Sequence, residues 1–371
     1  MKQKSGFSGQ IGFVFAAAGS AVGVGNLWRF PYLAAKDGGG LFLIIYLVLV
    51  VTFGFTLLTT DIAIGRKTGK SAIYAYESMC SKWKFLGILT FLVPVLIMTY
   101  YAVIGGWILK YITIYLFSSG KEAVADGCFT GFISSPSSVW FSLVFMLLTA
   151  LIVYNGVEKG IERVSKFIMP ILLVMVIVIA IFSLTLKTTL DDGTVRTGLQ
   201  GMMVYLKPDL TGVTVGRFLQ ITLDAMSQLF FSLSVSMGIM ITYGSYVKKD
   251  VDLNKAVSQI ELMDTGVAFL AGVMIIPAVF VFSGLDGMSA GPGLMFVSLP
   301  NVFFSMGKIG RFIGILFFVL AGFAALTSCI SVLESITANC MELFHTERKK
   351  TTGVLSVIYL TATAVIALGY S

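Results

Sequence analysis

Uncharged apolar stretches long enough to cross a ~30 Å hydrocarbon layer recur along this chain, from near residue 10 to near residue 370. No water-soluble fold has the interior to hide so many of them. The charge content agrees: 12% of the 371 residues are charged and 57% are hydrophobic, whereas soluble domains carry about a quarter charged residues. The expected fold class is an all-α polytopic membrane protein, a single transmembrane domain over 1–371. Nine spans are expected, near 10–34, 41–65, 85–117, 138–154, 167–187, 216–246, 257–283, 308–344 and 352–370. The first lacks the small-residue cleavage site of a signal peptide and runs on into the next span.

A net charge of +7 invites a nucleic-acid partner, but its placement excludes one. With the N-terminus in the cytoplasm, 16 of the 26 basic residues fall in short segments on one face: Lys2, Lys4, Arg66, Lys67, Lys70, Lys82, Lys84, Lys159, Arg163, Lys166, Lys248, Lys249, Lys255, Arg348, Lys349 and Lys350. That is the positive-inside bias of a membrane protein. The four cysteines, Cys80, Cys128, Cys329 and Cys340, show neither metal-ligand spacing nor an evident disulfide. The one histidine, His345, reads as a solvated residue at a helix end. A membrane-embedded enzyme would need a histidine, cysteine or carboxylate pair at catalytic spacing, and Asp264 and Glu334 stand alone in different helices. No enzyme and no organic cofactor are expected.

Two spans are interrupted in matching ways. "GSAVGVG" (19–25) breaks the first, "SLSVSMG" (232–238) the sixth. A polar, glycine-bearing break exposes backbone N–H and C=O groups that cannot face lipid and must line a cavity or hold a ligand. Two broken spans five apart suggest two five-helix inverted repeats, about 8–187 and 210–371, with a site between the breaks. Elsewhere glycines read as packing positions, Gly105 and Gly106 among them. The outer loops near 188–214 and 284–307 are expected to cover the mouth and to fold back, respectively.

The residues now quoted carry a resemblance. "GSAVGVGNLWRFPYLAAKDGGGLFLIIY" (19–46), "MTYYAVIGGW" (98–107), "KGIERVSKFIMP" (159–170), "DAMSQLFFSLSVSMG" (224–238) and "FAALTSCIS" (323–331) follow in order along the chain. Together they resemble the neurotransmitter:sodium symporter family, in particular its bacterial LeuT-like amino acid transporters. The resemblance implies the LeuT fold with broken helices 1 and 6, sodium-coupled symport, and a bacterial inner-membrane location. The family has eleven or twelve spans, so a chain resembling nine is expected to be a fragment with an incomplete second repeat.

An amino acid brings both its charges into a low-dielectric site, where each costs several kcal/mol if unpaired. The break offers N–H groups of Val24 and Gly25 to the carboxylate, and Tyr101 resembles the family's tyrosine donor to it. The carbonyls of Ala21, Phe231 and Ser232 with the Ser234 hydroxyl resemble the ammonium acceptors. The resemblance lines the side-chain pocket with Ile97, Tyr101, Ile104, Phe231, Ser234, Met237, Ser328 and Val332. That lining is apolar and would pair a charged side chain poorly. Met237 adapts its shape to a larger substrate, while Ser236 narrows the space. The substrate implied is a neutral, hydrophobic or aromatic amino acid.

Sodium wants about five or six oxygens. The resemblance implies one site at Ala21, Asn26, Ser232 and Asp264, and a second at Gly19, Val22, Ala324, Thr327 and Ser328. Taken alone, Thr327 and Ser328 in a helix read as hydroxyls bonded to the preceding turn. Asp264 is an acid in an apolar helix, costly and so functional. Chloride-using relatives place a serine where Ala268 stands, although Tyr46, Gln228 and Ser232 match chloride-site types; chloride independence is therefore expected. Arg29 and Asp224 are expected to pair as an outer gate, Lys4 and Glu342 as an inner one. Glu334 reads as structural or as a proton acceptor. The alternative reading is a substrate-binding membrane sensor or an inactive fragment, separated from a transporter by binding without sodium-dependent flux.

Overall fold

A computed structural model of the chain describes residues 6–118, 120–190 and 192–370. Its helices follow in order α1 (Gln10–Ala21), α2 (Val24–Lys36), α3 (Gly40–Leu49), α4 (Phe55–Thr68), α5 (Ala72–Met79), α6 (Lys84–Phe117), α7 (Cys128–Ile133), α8 (Pro136–Tyr154) and α9 (Arg163–Leu184). A short antiparallel hairpin, β1 (Lys187–Thr189) with β2 (Val195–Thr197), leads into α10 (Gly198–Leu206), α11 (Val215–Ser232), α12 (Ile239–Gly244), α13 (Leu253–Ser283), α14 (Leu299–Ser305), α15 (Lys308–Phe344) and α16 (Arg348–Leu368).

Among the described residues seven helical segments are long and apolar enough to cross a membrane, and the α1–α2 pair, bent by 52°, makes an eighth. α11 and α12, separated at 233–238, occupy the place of the sixth expected span. Three short stretches inside or beside them are π-helical, at Val50–Gly54, Val157–Glu162 and Leu294–Ser298.

The fifth span starts at Val157, not near 167, so Lys159, Arg163 and Lys166 lie on it rather than in a loop. Burial of Glu162 makes this possible. Its carboxylate accepts the backbone N–H and the hydroxyl of Ser8 and pairs with Lys166. Lys255 likewise lies on α13, which begins at Leu253. The 188–214 loop holds a hairpin strand and α10, pinned to α13 where the Tyr205 hydroxyl donates to the Phe269 carbonyl at 3.2 Å. The 284–307 segment folds back: its π-helical stretch Leu294–Ser298 docks on α6 where the Tyr111 hydroxyl donates to the Phe296 carbonyl at 2.8 Å.

Both breaks are built locally. Val22 and Gly23 are extended, and the Asn26 Oδ1 accepts the Gly23 N–H at 3.2 Å, capping α2. In the second break residues 233–238 leave the helix, with Ser234 at φ 52° and Ser236 at φ 59°. Non-glycine residues pay about 1–2 kcal/mol for that left-handed region. Below the break, α12 is fixed by reciprocal glycine contact, since a Cβ on Gly65 would strike the Ile241 carbonyl and one on Gly244 the Ile62 carbonyl. Gly105 and Gly106 are packing positions as expected, against Phe145 and Ser142.

Candidate functional site

The two breaks meet. Between them lies a cavity of about 30 Å³, bordered by Ala21, Asn26, Ile97, Tyr101, Phe231, Ser232, Ser234, Met237, Ser328 and Val332, all expected from the sequence. Ser20, Gly23, Ile239 and Ser331 border it as well and were not anticipated. The space is enough for about two waters, so a ligand of amino-acid size would have to open it.

Hydrogen bonds cross the cavity from break to helix. The Ser20 carbonyl, freed by the unwinding, accepts the hydroxyls of Ser234 at 3.3 Å and Ser328 at 3.2 Å. The Ser20 hydroxyl donates to Ser331 at 2.7 Å. The Val24 N–H points at the Tyr101 hydroxyl, 3.4 Å away. Three of the expected residues sit differently. Val24 itself and Ile104 are buried beside the cavity rather than bordering it. Gly25 is closed off by the Phe231 ring, which a Cβ there would meet at 2.9 Å. Its bareness makes room for the ring, and the residue of this turn that borders the cavity is Gly23.

Beside the cavity a buried polar cluster ties the first break to α13. The Asn26 Nδ2 donates to the Asp264 Oδ1 at 2.8 Å, and the Ser232 hydroxyl reaches the same carboxylate at 2.8–2.9 Å. Asp264 is fully buried. The Tyr46 hydroxyl, both polar atoms of Gln228 and the Glu261 Oε1 are buried without a hydrogen-bond partner among the described residues. A carboxylate, an amide and a hydroxyl form a donor set suited to a hard monovalent cation.

Of the second expected cation cluster, Gly19 and Thr327 are in contact, while the Thr327 and Ser328 hydroxyls are engaged elsewhere. Gly19 lies against Thr327, at 3.2 Å from a built Cβ. The Thr327 hydroxyl bonds back to Phe323 and Ala324 carbonyls at 3.0 and 3.2 Å, as an isolated helical threonine would. Ser328 instead reaches across to Ser20.

The expected outer pairing is not formed. Arg29 donates to the Ser227 hydroxyl at 2.9 Å, while Asp224 pairs with Lys36 at 3.2 Å. Lys36, about two helical turns beyond Arg29 on α2, holds the carboxylate instead. At the opposite end Lys4 lies outside the described residues. Glu342 accepts the Ser71 N–H at 2.9 Å and its hydroxyl at 2.6 Å. Glu334 is fully partnered: Arg348 grips both oxygens at 2.6 and 2.7 Å, and the Tyr246 hydroxyl donates at 2.7 Å. That favours the structural role over a proton acceptor.

Asp61 escaped the sequence reading. It is buried on α4 and accepts the Ser236 N–H at 2.9 Å. An acid in the apolar run "TLLTTDIAI" was the available sign, the same one that marked Asp264, and Glu261 carried it too.

The sequence model described as the sodium:neurotransmitter symporter family matches residues 4–128 and 128–370. An uncharacterized sodium-dependent transporter of Bacillus subtilis, YhdH, is 38% identical over 360 residues, 94% of this chain and 76% of that protein. The human sodium- and chloride-dependent taurine transporter is 26% identical over 94% of this chain and 62% of its own length. The crystal structure of MhsT in complex with L-phenylalanine superposes with a TM-score of 0.85 at 37% identity, over all of this chain and 82% of that one.

Proposed function

The chain belongs to the sodium:neurotransmitter symporter family, and from that premise we propose that it imports a neutral hydrophobic or aromatic amino acid with sodium, by alternating access and independently of chloride. Membership makes it a multi-pass, sodium-dependent membrane transporter of the LeuT fold, not an enzyme.

The observation that carries the substrate reading is the convergence of both breaks on one small cavity. The N-terminal end of α2, with the Val24 amide, presents positive dipole to a carboxylate. Tyr101, already within reach of Val24, adds a hydroxyl. The Ser20 carbonyl with Ser234 and Ser328 offers oxygens to an ammonium. Ile97, Met237 and Val332 leave the side chain an apolar wall. That MhsT was crystallised with L-phenylalanine supports an amino acid of this class.

Two sodium ions fit this reading, one at Ala21, Asn26, Ser232 and Asp264, the other at Gly19, Val22, Ala324, Thr327 and Ser328. The first would join the broken span to α13 beside the substrate, so ion and substrate favour the same closed arrangement, which is what coupling requires. The Asp264 carboxylate supplies a fixed negative charge beside Ala268, which offers no anion ligand. The N-terminus and the basic ends of the spans face the cytoplasm in this scheme.

The test is uptake by proteoliposomes under an inward sodium gradient, with a panel of neutral amino acids. Accumulation of a hydrophobic or aromatic amino acid that collapses when choline replaces sodium is expected. Sodium-dependent binding without accumulation would instead identify a sensor.

A further inference from the structure

A strongly basic concavity outside the transport site lies at the end of the helical bundle where α6 stops and α15 begins. It is a groove of about 480 Å³ walled by Tyr115, Phe303 and Phe304 and edged by Lys121, Lys308 and Arg311. No aspartate or glutamate lines it. Neither lysine is engaged in an ion pair or hydrogen bond with a described residue. Arg311 uses its Nε and one terminal nitrogen to hold the Tyr115 and Leu116 carbonyls, at 3.0 and 2.5 Å, which close α6. Lys308 and Arg311 are three residues apart on one helix, so both charges lie on the same face.

Two further features bear on what fits there. Tyr115, on the inner wall, is only 2% exposed, yet its hydroxyl is buried with no hydrogen-bond partner among the described residues. Around the rim Phe117, Phe304, Ile309 and Phe312 are exposed, a band of apolar side chains just where two membrane-spanning helices end. Cations at a span terminus over exposed aromatic and aliphatic side chains match an amphiphile with an anionic head and apolar tails.

The geometry points to a binding site for an anionic phospholipid, its phosphodiester held by Lys121, Lys308 and Arg311 and its acyl chains lying along Phe304 and Phe312. The volume suits a glycerophosphate headgroup, since small-molecule sites run to about 300–1,000 Å³. Phosphatidylglycerol is the natural probe, and a zwitterionic lipid is the matched control.

The purified full chain is delipidated in detergent and titrated with phosphatidylglycerol or phosphatidylcholine, and the bound lipid is counted by native mass spectrometry. Preferential retention of phosphatidylglycerol is expected, falling about fivefold for each lysine removed in Lys121→Gln and Lys308→Gln. Lys121→Arg with Lys308→Arg should keep the preference, and the unfolding midpoint of each variant reports whether it still folds. Equal retention of the two lipids, or a preference untouched by both glutamine substitutions in folded protein, would overturn the assignment. So would full displacement by millimolar inorganic phosphate, which would mark a site for soluble anions. Loss of lipid retention on formation of a dimer that buries the groove would overturn it in favour of a second copy.

Discussion

Asp61 accepts the backbone N–H of Ser236 at 2.9 Å, joining a buried acid on the second span to a left-handed residue in the break of the sixth. The acid holds in place a backbone that serine resists, at φ 59°. A hydrogen bond to a charged group contributes about 1.5–3 kcal/mol, enough to outweigh a left-handed residue at about 1–2 kcal/mol. Asp61→Ala should therefore loosen the break and weaken substrate binding by about tenfold or more. Ser236→Gly removes the strain and should soften that loss. Isothermal titration of the two single variants and the double variant measures the coupling, and strictly additive effects would show the two residues to be independent.

Asp264 makes a second prediction. Its carboxylate holds Asn26 and Ser232 at 2.8 Å each, and Asp264→Asn keeps the shape while removing the charge. Hard-cation affinity follows the number of charged ligands, so the sodium concentration for half-maximal uptake should rise about tenfold or more. Wild-type uptake should be unchanged when gluconate replaces chloride, while the asparagine variant should gain from chloride. Collapse of wild-type uptake in gluconate would end the chloride-independent reading.

How far the sequence reached can be seen at particular residues. The spans were legible because lipid imposes a minimum apolar length, and the breaks because glycine and serine interrupt it. The start of the fifth span was not, because Glu158, Lys159, Glu162 and Arg163 look like a loop until Ser8 and Lys166 are seen to neutralise Glu162. Ser20 and Ser331 were missed for a related reason. Serines in helices usually bond within their own turn, and only tertiary placement shows Ser20 turned across the cavity. Charged residues near the outer mouth were legible as a group, but not their partners: Lys36 rather than Arg29 holds Asp224.

The Glu334–Arg348 pair gives a stability prediction. Glu334 is fully buried and the Arg348 side chain is 17% exposed, so removing one partner strands a charge. Such deletions cost about 3–5 kcal/mol, whereas replacing both by apolar residues is often neutral. Glu334→Gln should lower the apparent melting temperature of the detergent-solubilised protein sharply. Glu334→Leu combined with Arg348→Met should recover most of it. A double variant as unstable as the single one would mean that Tyr246, left without its acceptor, matters as much as the charge.

Gly25 and Phe231 offer the most direct test of how the cavity closes. A Cβ at Gly25 would sit 2.9 Å from the Phe231 Cε1, so Gly25→Ala must displace the ring. Alanine is the better helix former by up to about 1 kcal/mol, while overpacking costs about 1–3 kcal/mol. The first term offsets part of the second in overall stability, but only the second acts on the cavity. Substrate affinity should thus fall by about tenfold with little change in melting temperature. Phe231→Leu, which vacates the space a Cβ would enter, should make the alanine tolerable, so the double variant should bind no worse than Phe231→Leu alone. If Gly25→Ala weakens binding equally with phenylalanine or leucine at 231, the glycine serves the ligand directly and not the ring.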